Sequence, residues 1–554
     1  MTRAARHLLD AAVVIGALYA ITFLVIALWR APYPFEIEWM EGGMVSHAAR
    51  LLDGQPIYAP PSADFVPFFY TPGYPLLLAG LAQLFGLTLG LGRAVSIAAT
   101  LATLAILFFI GRREASWRHG ALAAGLYAAL FRTTGAFYDL ARPDALFIAL
   151  VAAATAVAYY RRSLPGAAAA GALFALAFLT KQTTSVFVPA VGLYLLWRAW
   201  RHALAFGLTA AALAGAGVAL GTWLTDGWMW TYIFEGHQGH LFYWKNILLE
   251  YWRDVLFVAP LLLLLPLLWF GYKVPVAILS VLLAAHWTYA FIFRTTGFAD
   301  FPHMYYRELW YLSPRWAFFV PPALIALLLA LYRWQNPARG WRPPAHGFWL
   351  LMFVAGAGSS GLNHSTQWAY SNSLMPIALF ASILIALAVR DLTEATAERT
   401  PKWSALVPLA VLVQLGAWVY DVPAQLPDAA DRAALARLEA RLAEIDGPIF
   451  FPAHPLWSWQ RDGRVHVHQM GIQDVAFLGG VADLGPRLAK GEWAAVVVDA
   501  HNRVPGLGRA YVLAERFAYD GDALMTRTGF LTRPHELWLR RGATRPPRRP
   551  PPPR

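Results

Sequence analysis

Residues 143–198 read PDALFIALVAAATAVAYYRRSLPGAAAAGALFALAFLTKQTTSVFVPAVGLYLLWR. Three apolar runs, 143–160, 166–180 and 183–198, are separated by Arg161-Arg162 and by Lys181-Gln182. A helix that crosses a bilayer needs about 20 mostly apolar residues. Consecutive runs of this kind, broken only by short polar turns, predict antiparallel spanning helices. The same pattern recurs at 9–29, 91–111, 118–137, 203–223, 254–271, 274–293, 316–333, 346–361, 371–389 and 403–420, which makes thirteen spans in all.

Composition agrees with that reading. Of the 554 residues, 58% are hydrophobic and 14% charged, whereas a soluble chain carries about 25% charged residues. An ordinary soluble enzyme and a disordered scaffold are both excluded. The chain has no cysteine, so disulfides, thiolate metal sites and cysteine nucleophiles are excluded as well. The formal charge is +12. Much of the excess lies in short loops between apolar runs and in an Arg/Pro tail, so membrane topology, rather than nucleic acid, accounts for it.

Basic residues then set the orientation. Arg3 and Arg6 precede the first run, and Arg112, Arg113, Arg118, Arg161, Arg162, Arg198, Arg201, Arg333, Arg339, Arg342, Arg390, Arg399 and Lys402 fall in alternate loops. The positive-inside rule places the N-terminus in the cytoplasm and, with an odd number of spans, the C-terminal region outside an inner (plasma) membrane. The first run is long and lacks a small-x-small cleavage site, so it reads as a retained anchor. The loops assigned to the outside, 30–75, 224–253 and 294–315, are long and rich in aromatic residues, which marks that side as the working face. Within the first of them, Met44–Leu52 is amphipathic.

After Asp421 the pattern changes. Residues 429–445 read as an amphipathic helix, and Pro448–Phe451 and Ala494–Asp499 as short buried strands. A small extracytoplasmic α/β domain is expected over 421–541, following a transmembrane domain over 1–420. The closing 542–554, with its RPPRRPPPPR, is expected to be a disordered tail.

Polar residues at the outer ends of the runs are the candidates for chemistry. Glu36, Glu38 and Glu41 follow the first run, and Glu38 and Glu41 share a face if that segment is helical. Arg142 and Asp144 open the run at 143, where an aspartate is also a good helix start. Lys181 offers a fixed charge to a phosphate, or snorkels to the interface. His240, Lys245, His303 and Arg307 lie in the long outer loops. His237 and His240 alone make a weak metal pair. Asn363 sits in a polar stretch, SSGLNHSTQWAYSN, that also suits a plain turn. No Walker loop, dinucleotide fingerprint, HExxH or GxSxG is present.

The order of these segments resembles the C-class (GT-C) membrane glycosyltransferases, a group that includes the protein O-mannosyltransferases (glycosyltransferase family 39) and the aminoarabinose transferases. The resemblance is carried by EIEWMEGG at 36–43, by Ala49, Leu52 and Tyr58 after it, and by FFYTPGYPLLLAGLAQLFG at 68–86, which looks like the family's re-entry helix. RPDALF at 142–147 and FLTKQ at 178–182 match in order. Where the family shows Asp-Glu, this chain reads Met40-Glu41, so Glu38 stands as the source of the second carboxylate and the choice of base between Glu38 and Glu41 is open.

The resemblance implies transfer of a sugar from a polyprenyl-phosphate donor to an extracytoplasmic acceptor, with inversion. Glu38, Glu41 and Asp144 are the implied catalytic carboxylates, and the same three are candidates for a divalent cation, Mg or Mn. Lys181, Lys245 and Arg307 would take the donor phosphate. Glu36, Arg142, Tyr70, His240, His303 and Asn363 would contact substrate. The alternative reading is a polytopic transporter or lipid flippase.

Overall fold

The computed structural model describes residues 1–244, 246–247, 251, 255, 346–399, 401–500, 504 and 506–542. The runs expected at 254–271, 274–293 and 316–333, together with Lys245, His303 and Arg307, lie outside the described residues.

The N-terminal half is helical. Its elements are α1 (Arg3–Arg30), α2 (Glu41–Leu52), α3 (Gly73–Phe85), α4 (Leu89–Glu114), α5 (Trp117–Ala129), α6 (Asp144–Tyr160), α7 (Leu164–Thr180), α8 (Phe187–Arg198) and α9 (Trp200–Leu224). Further along come α10 (Gly347–His364), α11 (Met375–Arg399) and α12 (Leu406–Ala417). Four stretches among the described residues are long and apolar enough to cross a membrane: α1, α4, α9 and Ser371–Glu398, which contains most of α11. α3, α6, α7 and α12 are shorter apolar helices.

Packing follows from which face each helix buries. Phe23, Ile26, Ala27 and Arg30 of α1 face inward, while Val14, Leu18, Ile21, Val25 and Leu28 face outward, a stripe suited to hydrocarbon. α1 packs on α5 and α12, α4 on α5 and α6, and α7 on α6 and α9. Gly16 and Gly125 let α1 and α5 approach closely: a Cβ added at Gly16 would stand 2.9 Å from the Gly125 Cα. Small residues at such a crossing replace side-chain bulk with backbone contact.

The run expected at 118–137 is helical only to Ala129. Thr133 and Thr134 turn their hydroxyls back onto the Leu130 carbonyl, and Gly135 takes φ +93°. The chain then runs non-helically to Pro143, yet it is buried. Irregular backbone of this kind is tolerated where protein, not lipid, surrounds it.

One buried ion pair holds that irregular stretch and the start of α2 together. Arg93 on α4 donates from Nε to Glu41 Oε1 at 2.9 Å and from Nη2 to Oε2 at 2.7 Å. Its Nη1 donates to the carbonyls of Arg30 and Tyr33. Glu41 also accepts the backbone N–H of Ile37 at 2.7 Å and of Ala141 at 2.8 Å. Nearby, Arg30 pairs with Asp139 at 3.1 Å.

In the C-terminal region, α13 (Ala429–Ala443) opens on a capping box made by Asp428 and Asp431. Beyond it lies a four-stranded sheet in the order β1-β2-β4-β3, built from β1 (Ile449–Phe450), β2 (Ala495–Asp499), β3 (Tyr511–Arg516) and β4 (Pro534–Arg540). β1 and β2 are parallel, and the other pairings are antiparallel. All five residues of β2 are buried, as its unbroken valine run requires.

His454, after β1, and Asp499, at the end of β2, come from the same end of the two parallel strands. They meet Glu36 of the N-terminal half. His454 Nδ1 lies 2.6 Å from Glu36 Oε2, and its Nε2 lies 3.3 Å from Asp499 Oδ2. Phe35 stacks on the imidazole at 4.4 Å. Burial alone would lower this histidine, but the two carboxylates outweigh it and raise it to about 10.

Two consequences are testable. Arg93→Ala leaves Glu41 buried without its cation, a loss of about 3–5 kcal/mol, to be read as a lower melting temperature of the purified protein in detergent. The His454 contribution is fully present below its ordinary range near 6.5 and is lost as pH rises through about 10. Protease susceptibility of the C-terminal region is therefore expected to rise across that alkaline window, and His454→Ala is expected to be susceptible already at neutral pH.

Candidate active site

Four charged side chains from three parts of the chain line up in alternating sign. Glu38 comes from the loop after α1, Arg142 from the irregular stretch before α6, Asp144 from the first turn of α6, and Lys181 from the residue that ends α7. Local sequence explains each placement. Pro143 starts α6 and puts Asp144 in its first turn. Lys181 leaves α7 with extended backbone (φ −155°, ψ 119°), so it escapes the apolar helix face. Glu41, fixed by Arg93, sets the turn that carries Glu38.

Arg142 Nη1 donates to Glu38 Oε2 at 2.9 Å, and Arg142 Nη2 to the Tyr70 hydroxyl at 3.1 Å. Lys181 Nζ donates to Asp144 Oδ1 at 2.6 Å, and Asn372 donates to the same oxygen at 3.0 Å. Asp144 Oδ2 stands 3.9 Å from Arg142 Nε, and neither atom has a hydrogen-bond partner. Asp144 is 1% exposed and Lys181 11%, so the lysine, though still buried, is the least enclosed of the four. The Tyr70 ring lies 5.8 Å from the Arg142 guanidinium and 5.9 Å from the Lys181 ammonium.

The two glutamates differ in what they can do. Burial pushes Glu41 up, but Arg93 and the backbone N–H groups of Ala141 and Ile37 outweigh it and hold the carboxylate below its usual range. Both of its oxygens are engaged. Glu38 goes the other way: burial raises it, Arg142 lowers it, Glu41 raises it again, and the net position is about 7. Its Oε2 also accepts the Met40 N–H at 3.1 Å.

The remaining candidates are spread around this line. Glu36 is committed to His454. His240 bonds Asp474 at 3.1 Å and stacks on Phe69, while His237 bonds Gln182 at 2.7 Å and faces the Phe69 carbonyl at 3.2 Å. The HQGH histidines thus have different hydrogen-bond partners, although both rings pack on Phe69. Asn363 lies in the last turn of α10, where its carbonyl accepts from Thr366. The amide that reaches Asp144 is Asn372, nine residues further on in the same polar stretch. Arg93, Asn372 and Gln182 are participants that residue type alone did not single out. Lys181-Gln182 was a visible polar break, but nothing local marked Arg93 inside an apolar run.

A divalent cation finds a poor donor set here. Among the described residues no group of three His, Asp or Glu is placed to hold one. Glu38 and Asp144 each already face a cationic side chain at hydrogen-bond distance.

Residues 69–224, from Phe69 through the end of α9, match the family model described as dolichyl-phosphate-mannose-protein mannosyltransferase. No curated protein matches the chain. Among solved structures, ArnT from Cupriavidus metallidurans bound to undecaprenyl phosphate is similar at TM-score 0.44 and 13% identity, over 94% of this chain and 97% of that one. The apo form of ArnT gives 0.41 and 14%, over 87% and 92%. The apo Archaeoglobus fulgidus oligosaccharyltransferase gives 0.44 and 12%, over 89% and 69%. At such scores these structures assign no chemistry to this chain. The family match carries the likeness: over the stretch that holds Tyr70, Arg142, Asp144 and Lys181, the chain is similar to the dolichyl-phosphate-mannose-protein mannosyltransferases.

Proposed function

We propose that the protein is an integral-membrane glycosyltransferase that moves a sugar from a polyprenyl-phosphate donor to an acceptor on the extracytoplasmic side of the membrane, with inversion. The observation that carries this reading is the line Glu38–Arg142–Asp144–Lys181, which ends on its least enclosed member, the lysine, and lies largely within the matched stretch.

In this mechanism Glu38 is the general base. It accepts the proton of the acceptor hydroxyl as that oxygen attacks the anomeric carbon. The bond from the anomeric carbon to the phosphate oxygen breaks, and charge accumulates on the departing polyprenyl phosphate. Lys181 uses one of its three N–H groups on Asp144, which leaves the others to meet that charge. Asp144 orients the lysine, and its Oδ2 faces Arg142. Arg142 and Tyr70 hold Glu38 and line the route between the two charges. Glu41 anchors the loop instead of taking the proton. Lys245 and Arg307 are proposed as further phosphate contacts. A base poised near neutrality suits proton transfer at physiological pH.

Purified protein incubated with radiolabelled polyprenyl-phosphate sugars and cell-envelope extract is expected to label an acceptor. Glu38→Gln is expected to lower kcat about 10²–10⁴-fold while the protein accumulates normally. Normal transfer by this variant would eliminate Glu38 as base. Uptake into sealed vesicles without any covalent product would favour a transporter. The charged groups acting on Glu38 are Arg142 and Glu41, and the carboxylate works only when ionised, so kcat/KM is expected to fall as pH drops through about 7. A flat profile between pH 6 and 8 would contradict the assignment.

A further inference from the structure

Glu38 has a second neighbour, contributed by the C-terminal region. The segment 527–530 leaves the sheet and lies along the acidic loop. The Arg527 N–H donates to the Ile37 carbonyl at 2.8 Å, and Thr528 pairs with Glu38 in a parallel bridge. The Thr528 hydroxyl donates to the Gly135 carbonyl at 2.6 Å, and Phe530 packs on Trp39 with ring centroids 5.5 Å apart. Gly529 takes φ +73°, and a Cβ built there would stand 2.7 Å from Glu38 Oε1. A carboxylate in this position therefore requires a residue without a side chain opposite it.

The segment is held from behind by groups already tied to the loop. Thr532 donates from its hydroxyl to Asp499 Oδ2 at 3.0 Å, the same oxygen that faces His454. The Arg527 guanidinium pairs with Asp431 on α13. A continuous polar path thus runs from Glu36 through His454, Asp499 and Thr532 to the segment that covers Glu38.

We infer that residues 527–530 form a working wall of the transferase site and that Gly529 is a positioning residue that sets where the Glu38 carboxylate sits. The inference rests on Glu38 being the base. Its physical basis is steric. Arg142 holds one side of the carboxylate and the wall limits the other, so a side chain at 529 moves the proton acceptor away from the acceptor hydroxyl. A misplacement of about 1 Å at a reacting centre costs on the order of 10²-fold in rate. Lys181 and Asp144 have their partners elsewhere, so donor binding is left alone.

The test compares full-length Gly529→Ala with Gly521→Ala and Glu38→Gln, using the labelled lipid-phosphate donor. Gly521 also has a positive φ, +55°, but nothing lies within 4 Å of the added Cβ, so that variant carries backbone strain without the clash. Gly529→Ala is expected to lower kcat by about 10- to 100-fold with donor KM unchanged, and Gly521→Ala to leave both unchanged. A general loss of folding would instead reduce yield and active fraction in both glycine variants. Wild-type kcat in Gly529→Ala beside an inactive Glu38→Gln overturns the wall. An active Glu38→Gln overturns the assignment of the base itself. Should Gly529→Ala fail to accumulate, the near-isosteric Thr528→Val decides. Loss of its hydrogen bond to Gly135 is expected to lower kcat about fivefold, and an unchanged kcat overturns the inference.

Discussion

Arg93 and Glu41 form a bidentate ion pair with neither side chain accessible to solvent, and the geometry of the charged line depends on it. A charge in that position is costly unless its partner and its remaining hydrogen bonds are all supplied. Here they are. The arginine takes the carbonyls of Arg30, Tyr33 and Phe35, and the glutamate takes the N–H groups of Ile37 and Ala141. Three segments distant in sequence are thereby pinned at one point: the stretch from the end of α1 to the start of α2, α4 and the stretch before α6. Glu38 and Arg142 each stand close in sequence to one of the pinned residues, which is why they meet.

The charged line has its own logic. Two carboxylates alternate with two cations, so each charge along the line faces one of opposite sign. Repulsion between Glu38 and Asp144 is relieved by Arg142 between them. Lys181, the least enclosed of the four, keeps donors to spare. Such a line can be tightly held within the protein and still offer charge to an anion that arrives at the lysine, and the proposed chemistry exploits that asymmetry.

Much of the helical layout was legible because apolar runs of membrane length leave little choice: backbone groups must be satisfied within the segment. The turns at Arg161-Arg162 and Lys181-Gln182 could be read directly, and so could the buried strand at 495–499. The end of α5 could not. Nothing local distinguishes Gly135 from the many glycines within helices until its positive φ and the back-bonded threonines are seen. The acidic cluster was legible as a group but not in its division of labour. Glu36, Glu38 and Glu41 lie within six residues, yet one binds a histidine of the C-terminal region, one an arginine before α6 and one an arginine in α4.

Hydropathy and charge act over a few consecutive residues, and so the apolar helical runs, with carboxylates, arginine and lysine gathered at their ends, follow from the local sequence. Folding settles which carboxylate is saturated and which is raised to about 7. It also decides that Asn372 reaches Asp144, and that Gly529, nearly five hundred residues from Glu38, stands against it. Those outcomes depend on burial and on distances between segments remote in the chain, and these exist only once the chain has packed.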